Sequence, residues 1–368
     1  MRLVPIECVR DGTKLAKTIY DDAGLILLQA GSQLNGPVLK KMAELHILSV
    51  YIDDEYTVEE IDDIIKPELR QKSISTVKET FNNIQRIKSG NQVGIKAIIE
   101  KQNKNYFNSI YKIAEELLDD ILKNNKIMVS LVDIKSMDNY TYQHSVNVAV
   151  LSLVIGIGLK MPKNELIDLC IGALVHDIGK TLVPKEITKK NTPLTEEEQK
   201  ILNTHPEKGY VYLKNNFSLS KKSMIVVLEH HERINGTGFP KKLKGSSIHI
   251  FAKIVAIADA YDSLTSDRPN ERAIPAKDAL EYLMANVDTK FDFELVNLFT
   301  RIVIVFPAGT IVRLSNDEVA LVINTPANFP LRPKIKILKS NNINRVGKIL
   351  NLLNELSLVV SNVQYGLY

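Results

Sequence analysis

Five of the seven histidines fall in one ordered series that also takes in two aspartates: His144, the adjacent His176 and Asp177, His205, the adjacent His230 and His231, and Asp259. Imidazole nitrogen and carboxylate oxygen are ligands that first-row divalent metals take, and a carboxylate beside an imidazole lets two ions share one side chain. A lone histidine on a helix is usually a packed or surface residue. Two adjacent pairs with spaced single ligands between and after them do not read that way, so this series is the candidate metal-binding set. His46 and His249 have no such company.

These residues sit on or at the ends of segments with helical apolar spacing: 139–159, 164–177, 195–204, 208–215, 222–232, 250–264, 275–286 and 293–305. Ions held between facing helices are a normal feature of all-helical folds. In HDIGK, His176 and Asp177 close the apolar run LCIGALVHD, with Gly179 as the expected helix terminator. Adjacent helical residues point about 100° apart, so this pair presents a nitrogen and a carboxylate to one cavity. Lys180 then projects toward it as a phosphate holder that adds charge without competing as a ligand. An HD dipeptide alone is weak evidence.

The full set is strong. YTYQHSVNVA around His144, HDIGK at 176–180, HPEKGY from His205, HHERINGTGFP from His230 and ADAYDSLTSDRP from Ala258 resemble, in order and spacing, the HD-GYP family of HD phosphohydrolases, which cleave the bacterial messenger cyclic di-GMP. The resemblance covers roughly residues 126–305. It implies two divalent ions, iron or manganese, one held by His144, His176, Asp177 and Asp259 and the other by Asp177, His205, His230 and His231. It further implies attack by a metal-bridging hydroxide on a phosphodiester, yielding linear pGpG with continuation to GMP open. Lys180 would neutralise charge on the phosphate. Arg268 resembles the family's phosphate-holding residue, and Phe239 its base-stacking ring. Arg233 is a substrate contact or a loop-fixing ion pair. Asp262, three residues after Asp259, orients a ligand or the nucleophilic water, or is an ordinary helix acid.

Three departures from the family pattern carry consequences. Phe239 stands where the family name expects Tyr, which keeps stacking and loses a hydroxyl contact. Tyr140 stands where trinuclear members carry Glu, which implies a binuclear site. Glu271, three residues past Arg268, replaces a basic residue and opposes the substrate phosphate, with Arg272 beside it as compensation.

At 368 residues with 45% hydrophobic content, the chain has enough apolar mass for two or three domains. The expected organisation is a small α+β module over 1–55, a helical connector over 56–125, an all-helical HD-type catalytic core over 126–305 and a β-rich appendage over 306–368. The fold class is mainly α. In the first module, 13–20, 25–28 and 48–52 read as strands and 37–46 as a helix. Residues 68–125 read as a connector, packing arm or solvated spacer with apolar positions such as Ile95, Ile98, Ile99, Ile110, Ile113, Leu117, Leu118 and Ile121. In the appendage, 310–314, 319–324 and 334–338 read as strands.

A net charge of +4 on a chain with 24% charged residues, and the absence of Trp, argue against a nucleic acid polymer or an anionic membrane as partner. No apolar stretch reaches the roughly 20 residues that span a bilayer. Cys8 and Cys170 read as free thiols in a reducing cytoplasm. Two other functions fit the same residues. One keeps the chemistry and takes another cyclic dinucleotide such as cyclic GMP-AMP. The other is a low-turnover receptor that engages a protein partner through its terminal modules.

Overall fold

The computed structural model describes residues 1–20, 25–45, 47, 49–56, 64–89, 96–123, 140–188, 190, 192–266, 273–326 and 328–365. It begins with β1 (Arg2–Pro5), β2 (Thr13–Leu15), β3 (Ile19–Tyr20), β4 (Ile26–Leu28), β5 (Gln33–Leu34), α1 (Gly36–Glu44) and β6 (Ser49–Asp53). Four of these strands form a sheet in the order β1-β6-β2-β5, and β3 pairs with β4. Val4, Leu15, Leu34, Val50 and Ile52 from the sheet close on Met42 of α1 as a small separate core. Strand β1 had no counterpart in the sequence reading, because charge near its start breaks the apolar pattern. That charge is satisfied by a partner distant in sequence: Arg2 Nε donates to Asp54 Oδ2 at 2.8 Å. The single strand expected over 13–20 is two strands that belong to different pairings.

The helical body follows: α2 (Pro67–Ser89), α3 (Lys96–Lys123), α4 (Tyr140–Gly158), α5 (Lys163–Leu174), α6 (Lys185–Thr188), α7 (Glu196–Leu202), α8 (His205–Asn216), α9 (Lys221–Glu229), α10 (Ile250–Leu264), α11 (Ala276–Ala285) and α12 (Phe293–Ile302). Helix α4 is apolar nearly all round, which places it at the centre of the body. Val146, Val148, Val150, Leu151, Leu153 and Val154 are buried, and the helix packs against α2, α5, α10 and α12. The segment over 68–125 is a packing arm and not a solvated spacer. Val77 and Phe81 of α2, and Ile110, Ile113, Leu117 and Leu118 of α3, share the core of α4 and α5. Ile95 and the side chains of Ile98 and Ile99 lie outside the described residues.

Two expectations around HDIGK are corrected. The helix expected to reach Asp177 ends at Leu174, and a short 3-10 turn (Ile178–Leu182) follows. His176 and Asp177 therefore occupy the turn between them. Gly179 is not the terminator. It lies inside the 3-10 turn, where a Cβ would stand 1.9 Å from the carbonyl oxygen of His205 and 2.8 Å from the nitrogen of Gly209. Its missing side chain is what lets this turn press onto the start of α8.

The chain closes with β7 (Ile311–Leu314), β8 (Val319–Asn324), β9 (Lys334–Lys339), β10 (Ile349–Asn351) and β11 (Val360–Gln364), a five-stranded antiparallel sheet in the order β10-β9-β8-β7-β11. Val312, Ala320, Val322, Ile335 and Ile337 join the core of the helical body. Strands β10 and β11 were not expected, since β10 has only three residues and β11 carries Ser361 and Asn362 in mid-strand. Among the described residues, no helix is long and apolar enough to cross a membrane.

Substituting Gly179→Ala should displace the start of α8 and with it His205. Overpacking against backbone costs about 1–3 kcal/mol or more, so thermal unfolding should move down by several degrees. A midpoint equal to wild type would show that the contact yields freely.

Candidate metal centre

The body brings together all seven side chains of the histidine–aspartate series. His144 comes from the first turns of α4, and His176 and Asp177 from the turn after α5. His205 opens α8, with Pro206 in its first turn where no backbone N–H is needed. His230 ends α9, His231 follows it, and Asp259 lies on α10. They form two groups able to hold a metal ion: His144, His176 and Asp259, and separately Asp177, His205, His230 and His231. Within each group the candidate ligand atoms lie within 4.8 Å of one another.

Asp177 stands between the groups and divides its oxygens. Oδ2 is 3.4 Å from His176 Nε2 and 4.0 Å from His144 Nε2, in the first group. Oδ1 is 3.3 Å from His205 Nε2 and 3.9 Å from His230 Nε2, in the second.

The imidazoles are held from behind. His176 Nδ1 donates to the carbonyl of Ala173 at 2.7 Å, and His205 Nδ1 to that of Leu202 at 2.8 Å. His230 Nδ1 donates to the carbonyls of Val226 and Val227 at 3.1 Å. A carbonyl only accepts, so each Nδ1 carries a proton, and in the neutral ring Nε2 keeps its lone pair. The Nε2 atoms of His205 and His230 then face each other at 3.5 Å with no proton to share. His176 Nε2 and Asp177 Oδ1 are buried without a hydrogen-bond partner among the described residues. Converging lone pairs and an unsatisfied buried carboxylate oxygen are what a bound cation would neutralise. The donor set fits first-row divalent ions and contains no thiolate; Cys170 is buried elsewhere, and both it and Cys8 are free thiols.

Charge is distributed unevenly between the groups. Burial lowers the His144 pKa, but the carboxylates of Asp259 and Asp262 outweigh it and push it up to about 9. Burial pushes His231 down to about 3, and burial with three neighbouring imidazoles holds His230 well below its usual range. Burial alone would raise the Asp177 carboxyl; Lys180 and His176 hold it well below the ordinary carboxylate value.

Lys180 reaches the centre. Its Nζ lies 2.5 Å from Asp177 Oδ2, with its side chain 37% exposed against 2% for that of Asp177, so the ammonium lies between the buried carboxylate and solvent. Phe239 packs its ring on His231, with centroids 4.7 Å apart at 31°. The loop that carries it is tightly folded. A Cβ on Gly238 would meet the backbone of His231, Glu232 and Arg233 at about 2.5 Å, and the buried Glu232 carboxylate accepts from the backbone N–H groups of Lys241 and Leu243 at 2.7 and 2.9 Å. Arg233 is exposed and forms no ion pair among the described residues, so the loop-fixing ion pair considered for it is not formed there. Asp262 lies behind His144: its Oδ2 accepts from His144 Nδ1 at 2.7 Å. Of the roles open to it, this contact matches orienting a ligand. His249 has a local task, accepting from Phe251 N at the start of α10. His46, Arg268, Glu271, Arg272 and the side chain of Tyr140 lie outside the described residues.

Two residues near the centre went unread. Asn147 Nδ2 donates to Asp262 Oδ1 at 2.9 Å, and Arg70 Nη1 donates to Asn147 Oδ1 at 2.8 Å. Asn147 left a signal, as a polar residue within an apolar helix, three positions after His144. Arg70 left none, being 77 positions from Asn147.

Residues 120–295 match the HD domain family model, and residues 311–364 match the model of a KOW domain associated with the HD domain. A cyclic di-GMP phosphodiesterase of Pseudomonas aeruginosa is 33% identical over 61% of this chain and 54% of its own length. The cyclic di-GMP phosphodiesterase PdeB of Borreliella burgdorferi is 30% identical over 61% of this chain and 57% of its own. A 3'3'-cGAMP-specific phosphodiesterase of Vibrio cholerae is 31% identical over 50% of this chain and 42% of its own. The chain spans about half the length of the curated relatives it matches.

The His144 environment sets a pH dependence for the ion-free protein. A folded-state value raised from 6.5 to about 9 contributes stability that is full below pH 6.5 and is lost as pH rises through about 9. Thermal midpoints of chelator-treated protein should therefore fall between pH 6.5 and 9, and fall less in His144→Gln. Parallel curves for the two proteins would refute this assignment.

Proposed function

We propose that this chain, which belongs to the HD-GYP branch of the HD domain family, is a metal-dependent cyclic dinucleotide phosphodiesterase that linearises cyclic di-GMP to pGpG. The observation that carries this reading is the division of the Asp177 oxygens between two groups of ligands, 3.4 Å from His176 on one side and 3.3 Å from His205 on the other. Such an arrangement suits two ions sharing one carboxylate. His144, His176, Asp177 and Asp259 would hold one ion, and Asp177, His205, His230 and His231 the other, with iron or manganese matching the nitrogen-rich set. When bound, the pair supplies Lewis-acid polarisation of a phosphoester and lowers the pKa of water to near neutrality.

The chain's own residues do the rest. Carbonyls behind His176, His205 and His230 keep their Nε2 atoms aimed at the centre, and Asp262 does the same for His144. Lys180 meets an incoming phosphate from the solvent side, and its ammonium offsets charge that builds on the phosphate oxygens. Phe239, braced on His231, offers an apolar ring to a base at the rim. Arg268 and Arg233 are proposed as further phosphate contacts, with Glu271 opposing them. Two free thiols are consistent with a cytoplasmic setting.

Relatives that act on cyclic di-GMP and on 3'3'-cGAMP match at similar identity, so the substrate must be tested directly. Anaerobically purified protein loaded with iron or manganese is incubated separately with cyclic di-GMP, 3'3'-cGAMP and cyclic di-AMP, and the products are resolved by chromatography. Conversion of cyclic di-GMP to pGpG at the highest rate supports the proposal. Preferred cleavage of 3'3'-cGAMP would replace the substrate, and binding without turnover would make the protein a receptor. Lys180→Ala should keep the bound metal while turnover falls on the order of a hundredfold; unchanged turnover would remove Lys180 from the reaction.

A further inference from the structure

The first ion group is supported from a helix that lies outside the match to the HD domain model. Arg70 is on α2, in a segment that precedes residues 120–295, and it is 6% exposed. Its Nη1 donates to Asn147 Oδ1 at 2.8 Å. Asn147, 1% exposed on α4, donates through Nδ2 to Asp262 Oδ1 at 2.9 Å. Asp262 accepts from His144 Nδ1 at 2.7 Å, and His144 Nε2 faces Asp259 Oδ1 at 3.1 Å. Four buried side chains from three helices thus form one hydrogen-bond chain that ends on a candidate ligand.

The direction of the chain follows from donor and acceptor chemistry. A guanidinium only donates, so the atom of Asn147 that faces Arg70 must be its oxygen. The amide nitrogen is thereby turned toward Asp262. An ionised carboxylate only accepts, so Asp262 receives one N–H from Asn147 on Oδ1 and the His144 Nδ1–H on Oδ2. With Nδ1 committed there, Nε2 is the nitrogen left for the centre. Without Arg70, the Asn147 oxygen is buried with no donor from α2, and the amide gains by rotating. Rotation would set its oxygen against the Asp262 carboxylate and loosen the support of His144.

We propose that Arg70 is a positioning residue for the His144, His176 and Asp259 group, and that the seating of α2 on α4 controls how firmly this group holds its ion. The proposal rests on the two-ion reading above. It gives the helix that follows the N-terminal α+β module a direct line to the centre. Helix α2 also packs against the 3-10 turn that carries Lys180. A displacement of α2 would therefore reach the phosphate-facing lysine as well as the first group.

The test uses the full chain and the variants Arg70→Met, Arg70→Lys and Asn147→Asp. Asn147→Asp conserves shape and replaces the donor to Asp262 by an acceptor, so it interrogates the chain even if Arg70→Met fails to fold. Ion-free proteins with the histidine rings labelled with nitrogen-15 report the His144 imidazole by NMR, and the same proteins are titrated with Mn2+. In Arg70→Met and Asn147→Asp the downfield Nδ1–H resonance of His144 should move or broaden. Affinity for one of two Mn2+ ions should drop about tenfold or more, as for other outer partners of metal ligands, with the second ion bound as in wild type. Arg70→Lys, which keeps a donor, should restore both readouts in large part. A His144 resonance and two Mn2+ affinities unchanged in Arg70→Met and Asn147→Asp would overturn the proposal. If wild type takes up fewer than two ions, the two-ion reading fails, and the His144 resonance still decides whether Arg70 positions that ring.

Discussion

A carboxylate buried to 2% exposure must be surrounded by positive charge or by donors, and Asp177 is where this constraint shapes the protein. Its oxygens face the imidazoles of His176, His205 and His230, whose Nε2 atoms are barred from donating by the carbonyls behind the rings. Among the described residues, only Lys180 supplies an obligate cation at hydrogen-bond distance, and it reaches a single oxygen. The remaining demand is met by metal in the functional reading. Side chains from α4, α8, the end of α9 and the turn after α5 face this one carboxylate within 4.0 Å. Helices α4, α5, α9 and α10 pack on one another in a ring, and α8 packs on α9 and on the 3-10 turn after Asp177.

The packing that secures this arrangement is unusually local. Gly179 lets the turn after α5 touch the start of α8, so two segments that carry ligands on opposite sides of Asp177 are fixed to each other through backbone. Glu232 and Gly238 fold the loop after His231 back on itself and seat Phe239 against that imidazole. Residues 144–156 of α4 are buried throughout, which leaves their polar side chains with no solvent to turn to. His144, Asn147 and, across the interface, Asp262 must satisfy each other, and Arg70 completes the set.

The ligand series and most of the helical body were legible in the sequence, because histidine and aspartate in adjacent pairs are rare and apolar spacing is periodic. The helix over 250–264 was read with the bounds it has, Ile250–Leu264. The turn at 175–177 was not, since LCIGALVH continues a helical pattern that only the approach of α8 interrupts. Strands β1 and β11 were missed for the same kind of reason: Arg2 is satisfied by Asp54, 52 positions away, and Ser361 by the carbonyl of Arg313, 48 positions away. Arg70 illustrates the limit most clearly. Its neighbours describe an ordinary amphipathic helix, and its role depends on a contact with α4 that no local pattern encodes.

The central claim is that one carboxylate serves two ions. Equilibrium titration of the ion-free chain with Mn2+ under anaerobic conditions, with bound metal counted per chain, addresses it most directly when wild type is compared with Asp177→Ala and His205→Ala. The account predicts two ions for wild type, weakened binding of both in Asp177→Ala, and loss confined to one in His205→Ala. Two ions held by Asp177→Ala with wild-type affinity, or a single ion in wild type, would contradict it.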